Sequence, residues 1–211
     1  MINKIYLILF DILIKLIDSK NKNKIIKFFK KKLNKNQSIV LIDIGSHRGE
    51  TIELFSSCFN INKIYAFEPN PKIFLELKKN IKKNNLIQKV EIFNYAIGKK
   101  SEKKLLTVFN ESSSSTLHSL NIHSKYYKRK KRILSLFTNK IFNKMSVSIE
   151  KLNNLIPNIY NIKIHILKID TEGYEFNILK GLNKKIFKNT RFIYFEHHYD
   201  KMIKKNYKYF D

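Results

Sequence analysis

The sequence predicts an α/β protein with a mostly parallel sheet and helices on both of its faces. Two short, β-branched apolar runs, Ile39–Ile44 (IVLIDI) and Ile164–Asp170 (IHILKID), read as strands buried on both sides. Strand-like runs alternate with helical stretches, the rhythm of a sheet covered by crossover helices. The 211 residues are 43% hydrophobic with only 5 Gly and 3 Pro, which supplies a core and excludes a disordered or collagen-like chain. Cys58 is the only cysteine, so neither an internal disulfide nor a Cys-rich zinc site can form, and a reducing, cytoplasmic setting is expected.

Residues 1–37 stand apart as an amphipathic helical segment, and residues 38–211 form the α/β domain. An apolar band from Ile5 to Ile17 is interrupted by Asp11 and Lys15 and gives way to a lysine-rich stretch around Phe28 and Phe29. At some 13 residues the band is shorter than the ~20 that a membrane span needs. No small-residue cleavage site follows it. Two placements fit: a helix packed on the domain, or residues 1–35 lying at the inner face of a membrane with lysines toward anionic lipid.

Within the domain the elements follow in order. Ile39–Ile44 stops at Gly45, and residues 50–59 read as a helix. Lys63–Glu68 (KIYAFE) is a second strand, and residues 71–84 are a helix with Pro71 in its first turn. Val90–Ala96 is a third strand ending at Gly98. Residues 99–148 break the rhythm. Lys104–Phe109 and Met145–Ile149 look like an antiparallel ribbon around a serine run and a basic patch (KYYKRKKR, 125–132), an insertion above the carboxyl end of the sheet. Ile164–Asp170, a helix over 174–182, and Arg191–Glu196 complete the pattern.

Chemistry gathers where these strands end. After the first comes Asp43-Ile-Gly45-Ser46-His47-Arg48-Gly49, a glycine turn leading into a helix amino-terminus. It is not the G-x-G-x-x-G fingerprint, and an acid at the strand end repels a pyrophosphate, which disfavours a nicotinamide oxidoreductase. Asp43 suits a ligand with positive charge or amine donors, such as S-adenosylmethionine. Glu68 follows Asp43 by 25 residues, the spacing of an acid that takes two ribose hydroxyls. Asn94 and Ala96 at the third strand end would flank an adenine. The fourth strand gathers Lys168, Asp170, Glu172 and Glu175, either around a substrate or as an internal ion pair. The fifth delivers Glu196, His197 and His198, and one histidine there suits a base near neutral pH. Two adjacent histidines beside Asp170 lack metal-ligand spacing, so no metal site is expected.

The segments IDIGSHRGE, YAFEPNP, NYAIG, LKIDTEGYE and FIYFEHH together resemble the FkbM-type methyltransferases over residues 39–198. The resemblance implies a Rossmann-like class I methyltransferase fold and S-adenosylmethionine as cofactor. It also implies O-methylation of a hydroxyl on a sugar, glycan or small natural product. It places Asp43, Gly45 and Gly49 against the methionine part of the cofactor and Glu68 against its ribose, and Ser46 in the same turn is a further cofactor-binding candidate. Asp170, Glu172 and His197 become candidate catalytic residues, with Lys168, Glu175 and His198 toward the acceptor. Ser46 and His47 stand where the family commonly has alanine and asparagine, and Glu150 and Leu152 where a Leu-Asp pair is common. Class I folds add two strands after the fifth, so a shortened carboxyl end is expected here.

The net charge of +25 has a second reading. Only four of the 42 basic residues are arginine, and lysine, asparagine and isoleucine are abundant together, the mark of an A/T-rich coding bias. Specific base recognition favours arginine, and no Asn/Asp-Pro-Pro-aromatic loop follows the fourth strand, so no specific nucleic acid partner is expected. The competing reading is a non-catalytic basic module docked on membrane or nucleic acid, whose binding would fall steeply with salt.

Overall fold

The computed structural model describes residues 22–34, 36–109, 115–134 and 141–195. The expectations for residues 1–21 and for Glu196, His197 and His198 lie outside them. A helix over residues 22–32 (α1) leads into β1 (Ile39–Ile44), α2 (Glu50–Cys58), β2 (Ile61–Phe67), α3 (Pro71–Lys83) and β3 (Val90–Phe93). After the middle region come β8 (Ile164–Ile169), α6 (Glu175–Gly181), α7 (Lys184–Asn189) and β9 (Thr190–Phe195). The five strands form one parallel sheet in the order β3-β2-β1-β8-β9. Connections leave β1 and β8 in opposite directions, so a crevice opens beyond their carboxyl ends.

Every residue of β1 and of β8 is buried, as their unbroken apolar runs predict. One face of the sheet presents Leu41, Ile64, Ala66 and Ile166 to Ile26 and Phe29 of α1, Phe55 of α2 and Leu77 and Ile81 of α3. The other presents Ile42, Ile44, Phe67, Leu167 and Ile169 to α6, α7 and a second sheet. α3 starts where the sequence places it, with Pro71 in its first turn and the Asn70 side chain accepting from Lys72 N at 3.1 Å. Of the lysine-rich segment, the described part packs on the domain: Phe29 lies 5.7 Å from the rings of both Phe55 and Phe192.

Two elements depart from the sequence reading. The third strand stops at Phe93, because the Asn94 side chain turns away to donate to the carbonyls of Glu68 (2.8 Å) and Pro69 (3.2 Å). Ala96 and Ile97 (β4) join a second sheet instead. The helix expected over 174–182 is α6, and a further helix that the sequence reading leaves out, α7, starts where the Asn183 side chain accepts from Lys185 N at 2.8 Å.

The second sheet has the order β4-β7-β5-β6, with β5 at Glu102–Phe109, β6 at Ser115–Thr116 and β7 at Phe142–Glu150. β5 and β7 pair antiparallel from Glu102↔Ile149 to Phe109↔Phe142. Helix α4 (Lys125–Leu134) sits at the far end of this ribbon, where Tyr127 is buried with Phe109. A short helix, α5 (Leu152–Leu155), and a single 3-10 turn lead into β8.

His165 belongs to the sheet itself. Its Nδ1 accepts the Val40 backbone N–H at 3.0 Å, so the ring is neutral with its proton on Nε2. Burial holds its pKa below the ordinary value, and the charges of Lys163 and Arg191 add to the effect. The unfolded chain therefore takes the proton first. Stability is complete above about pH 6.5 and falls as pH drops toward the folded pKa. Thermal unfolding measured across that window should show the loss. His165→Asn, which keeps an acceptor at this position and cannot titrate, should flatten it.

Candidate active site

Both acidic strand ends reach the same crevice. Asp43 lies opposite Ala66 of β2 and Lys168 of β8, and Glu68 follows immediately after β2. The loop between them is sewn by backbone. Gly45 N and Ser46 N both donate to Phe67 O, at 3.0 and 2.9 Å. The Ser46 hydroxyl donates to Asp43 O at 2.8 Å and accepts from Phe67 N at 3.1 Å. Ser46 is only 2% exposed, so its side chain closes the β1–β2 seam, where the sequence reading sets it against the cofactor. Ala96 is likewise a core residue of the second sheet, paired with Ile149, and Asn94 tethers the β2 end to the β3 end.

Glu68 bridges two loops. Its Oε2 accepts from His47 N at 3.0 Å and its Oε1 from Asn70 N at 2.8 Å. Gly45, His47 and Gly49 have φ of 84°, 49° and 94°, a twisted run of the kind that cradles anions. Here the Glu68 carboxylate itself takes the His47 amide, which leaves a phosphate little to gain. Burial pushes the Glu68 carboxyl above the usual glutamate range against the pull of the two amides, and the nearby charge of Asp43 adds to the rise. His47 and Arg48, which the motif reading passes over, brace the loop: His47 Nδ1 is 3.1 Å from Glu50 Oε1, Arg48 pairs with Glu76, and Asn80 Nδ2 donates to Arg48 O at 2.9 Å.

Lys168 is the hub of the β8 side. Its Nζ lies 3.1 Å from Asp43 Oδ1, 3.3 Å from Asp170 Oδ2 and 3.5 Å from Gly45 O, and the side chain is 8% exposed. It is thus an internal clamp, the alternative to its meeting substrate. Burial pulls the ammonium pKa down, but the two carboxylates outweigh this and hold it above the ordinary lysine value. Two carboxylates share one cation. Burial accordingly still raises the Asp43 carboxyl, despite Lys168 beside it. Asp43 Oδ2 is buried with no hydrogen-bond partner among the described residues. A buried acceptor left this way costs about 1–3 kcal/mol, a cost that a donor or cation would relieve.

The loop after β8 touches the loop after β1. A Cβ on Gly45 would stand 1.8 Å from Asp170 O, at a φ that already disfavours a side chain. Gly45→Ala should therefore lower stability by at least ~2 kcal/mol, read as a shifted urea midpoint. A midpoint equal to the parent's would mean that the two loops can part.

Residues 43–209 match the family profile described as the Methyltransferase FkbM domain. The chain belongs to the FkbM methyltransferase family. It is 24% identical over 147 residues to "Methyltransferase 1" of Beauveria bassiana (strain ARSEF 2860), an alignment covering 68% of this chain and 58% of that protein's length. Against the crystal structure of "Methyltransferase FkbM" from Methylobacillus flagellatus KT, the TM-score is 0.48 at 13% identity, covering 76% of this chain and 33% of the other. Among the described residues, no helix is long and apolar enough to cross a membrane.

In this FkbM-family chain the element LKIDTEGYE builds a rigid corner. Glu175 Oε1 accepts from Thr171 N (3.1 Å), Thr171 Oγ1 (3.2 Å) and Gly173 N (3.0 Å), so the residue assigned from sequence to the substrate holds its own loop in shape. Glu172 stands in that corner with φ of 52°. Asp170 is about one-third exposed and forms the open side of the Lys168 clamp. The second sheet docks here too. Thr116 Oγ1 donates to Glu172 O at 2.8 Å, His118 packs 5.3 Å from the Tyr174 ring, and His118 Nε2 is 3.1 Å from Asn177 Nδ2. Thr116 and His118 therefore belong to the β8 side of the mouth. Nothing local in the sequence signals this, because their partners lie 56 and 59 residues away.

Proposed function

We propose that this chain transfers a methyl group from S-adenosylmethionine to a hydroxyl of a sugar, glycan or small natural-product acceptor. Membership of a methyltransferase family supports the transfer. The observation that carries the donor is the buried, partnerless Oδ2 of Asp43 in one crevice with Glu68. A carboxylate has about four acceptor positions. Glu68 commits two of them to backbone amides, leaving room for two vicinal ribose hydroxyls. Asp43 Oδ2 suits an α-ammonium group, which would also relieve the excess negative charge around Lys168. These residues fit the group.

When bound, the cofactor supplies an electrophilic methyl on a sulfonium sulfur. The protein's work is then positional, and holding two reactants in line is worth ~7–11 kcal/mol. Gly45 and Gly49 let the backbone approach closely. Lys168 fixes Asp43 and Asp170 relative to each other across the crevice. Asp170, half-buried at the mouth, accepts a hydrogen bond from the acceptor hydroxyl and takes its proton, while Glu172 orients the acceptor. Proton removal of this kind contributes typically 10²–10⁴-fold.

Calorimetric titration and thermal unfolding with S-adenosylmethionine test the donor. At a hundredfold excess over Kd the stabilisation should be about 2.7 kcal/mol, a rise of several degrees in Tm. No heat and no shift would overturn the reading. With labelled donor and pooled sugar or natural-product acceptors, the label should appear as a base-stable ether. Label released as methanol by mild base would identify a carboxyl ester and refute the hydroxyl assignment.

A further inference from the structure

The ribbon carries a helix whose charges work against its own stability. α4 reads KYYKRKKRIL, six basic residues in ten and no acidic one. Lys125, Lys128, Arg129 and Arg132 are exposed and fall at i, i+3, i+4 and i+7, a single stripe along one side. Lys125 and Arg129 are like charges one turn apart, which is destabilising, and Lys125 sits at the positive end of the helix dipole. Coding bias explains lysine everywhere. It does not explain why two of the chain's four arginines fall in this one helix.

The surroundings narrow the partner. Ile122, three positions before the helix, is 54% exposed. The stripe runs about 10 Å along a convex helix, a length set by the rise per residue, and so suits many anions on a plane better than one small anion in a cleft. An exposed, large apolar side chain in the turn that leads into a row of cations is the make-up of a peripheral membrane contact. Nucleic acid would use the cations and leave Ile122 in water.

The helix is also close to the crevice. Tyr127 is buried with Phe109, two residues along β5 from Thr107, whose partner Thr116 bonds to Glu172 O. Two strand residues span about 7 Å.

We infer that α4, with Ile122, is a docking surface for an anionic lipid membrane, holding the acceptor side of the crevice near the lipid headgroups. This surface is independent of the methyl-transfer reading and is measured without donor or acceptor.

The full chain should co-float with phosphatidylcholine vesicles containing phosphatidylglycerol, less so as salt rises, and not with phosphatidylcholine alone. Replacing Lys125, Lys128 and Arg129 together by Gln should weaken partitioning by about 100-fold, given what each charge contributes near such a surface. Ile122→Ser should weaken it by about tenfold. The three glutamines are exposed and helix-compatible, so thermal unfolding should match the parent's. Arg129→Lys with Arg132→Lys should leave partitioning unchanged, because a membrane reads charge and not a guanidinium fork. Partitioning of the glutamine variant equal to the parent's would overturn the inference. So would its loss in the lysine variant, or stronger binding to a single-stranded oligonucleotide than to the vesicles.

Discussion

Lys168→Met should lower the unfolding free energy by about 3–5 kcal/mol, because it leaves the fully buried Asp43 carboxylate without its cation. For a chain of this size that is roughly a 10 °C fall in Tm, and calorimetry would read it directly. Asp43→Asn combined with Lys168→Met should be markedly less damaging than Lys168→Met alone, since the stranded charge goes with its partner. A double-mutant cycle with no coupling between the two positions would show that the pair does not organise the rim.

Glu68→Gln should weaken S-adenosylmethionine binding by about 100-fold. Hydrogen bonds to a charged acceptor are worth ~1.5–3 kcal/mol each, and an amide also turns a donor toward either His47 N or Asn70 N. Titration at a temperature where the variant remains folded separates this from its modest loss of stability. An unchanged Kd would remove Glu68 from the cofactor site and with it the case for the ribose. In the parent, binding should weaken as pH falls through the Glu68 pKa, which burial sets above the ordinary 4.5. Protonation there removes an acceptor that the ligand needs.

The sheet was legible because its strands announce their own ends. IVLIDI, KIYAF and IHILKI are apolar runs closed by glycine, proline or charge, and each lies where the pattern puts it. Asp43 and Glu68 could be located for the same reason, since an acid at the end of a buried strand has few structural uses. What sequence does not carry is the partner of a side chain. Asn94 ends β3 early by bonding to carbonyls of another strand end, Ser46 turns inward to a neighbouring backbone, and Glu175 folds back on its own loop. Each looks like an available polar group until the fold brings its partner. The Asn183 cap was visible in principle as a helix-starting residue, yet the six-residue α7 that it opens is too short for periodicity to reveal. His165 gives no hint of its bond to Val40, 125 residues away.

The clearance at Gly45 has a mechanical consequence. With no room for even a methyl group between it and the Asp170 carbonyl, the loop after β1 abuts the loop after β8. The described crevice has no hinge at this junction. The spacing of its two walls is set by the packing of the sheet itself.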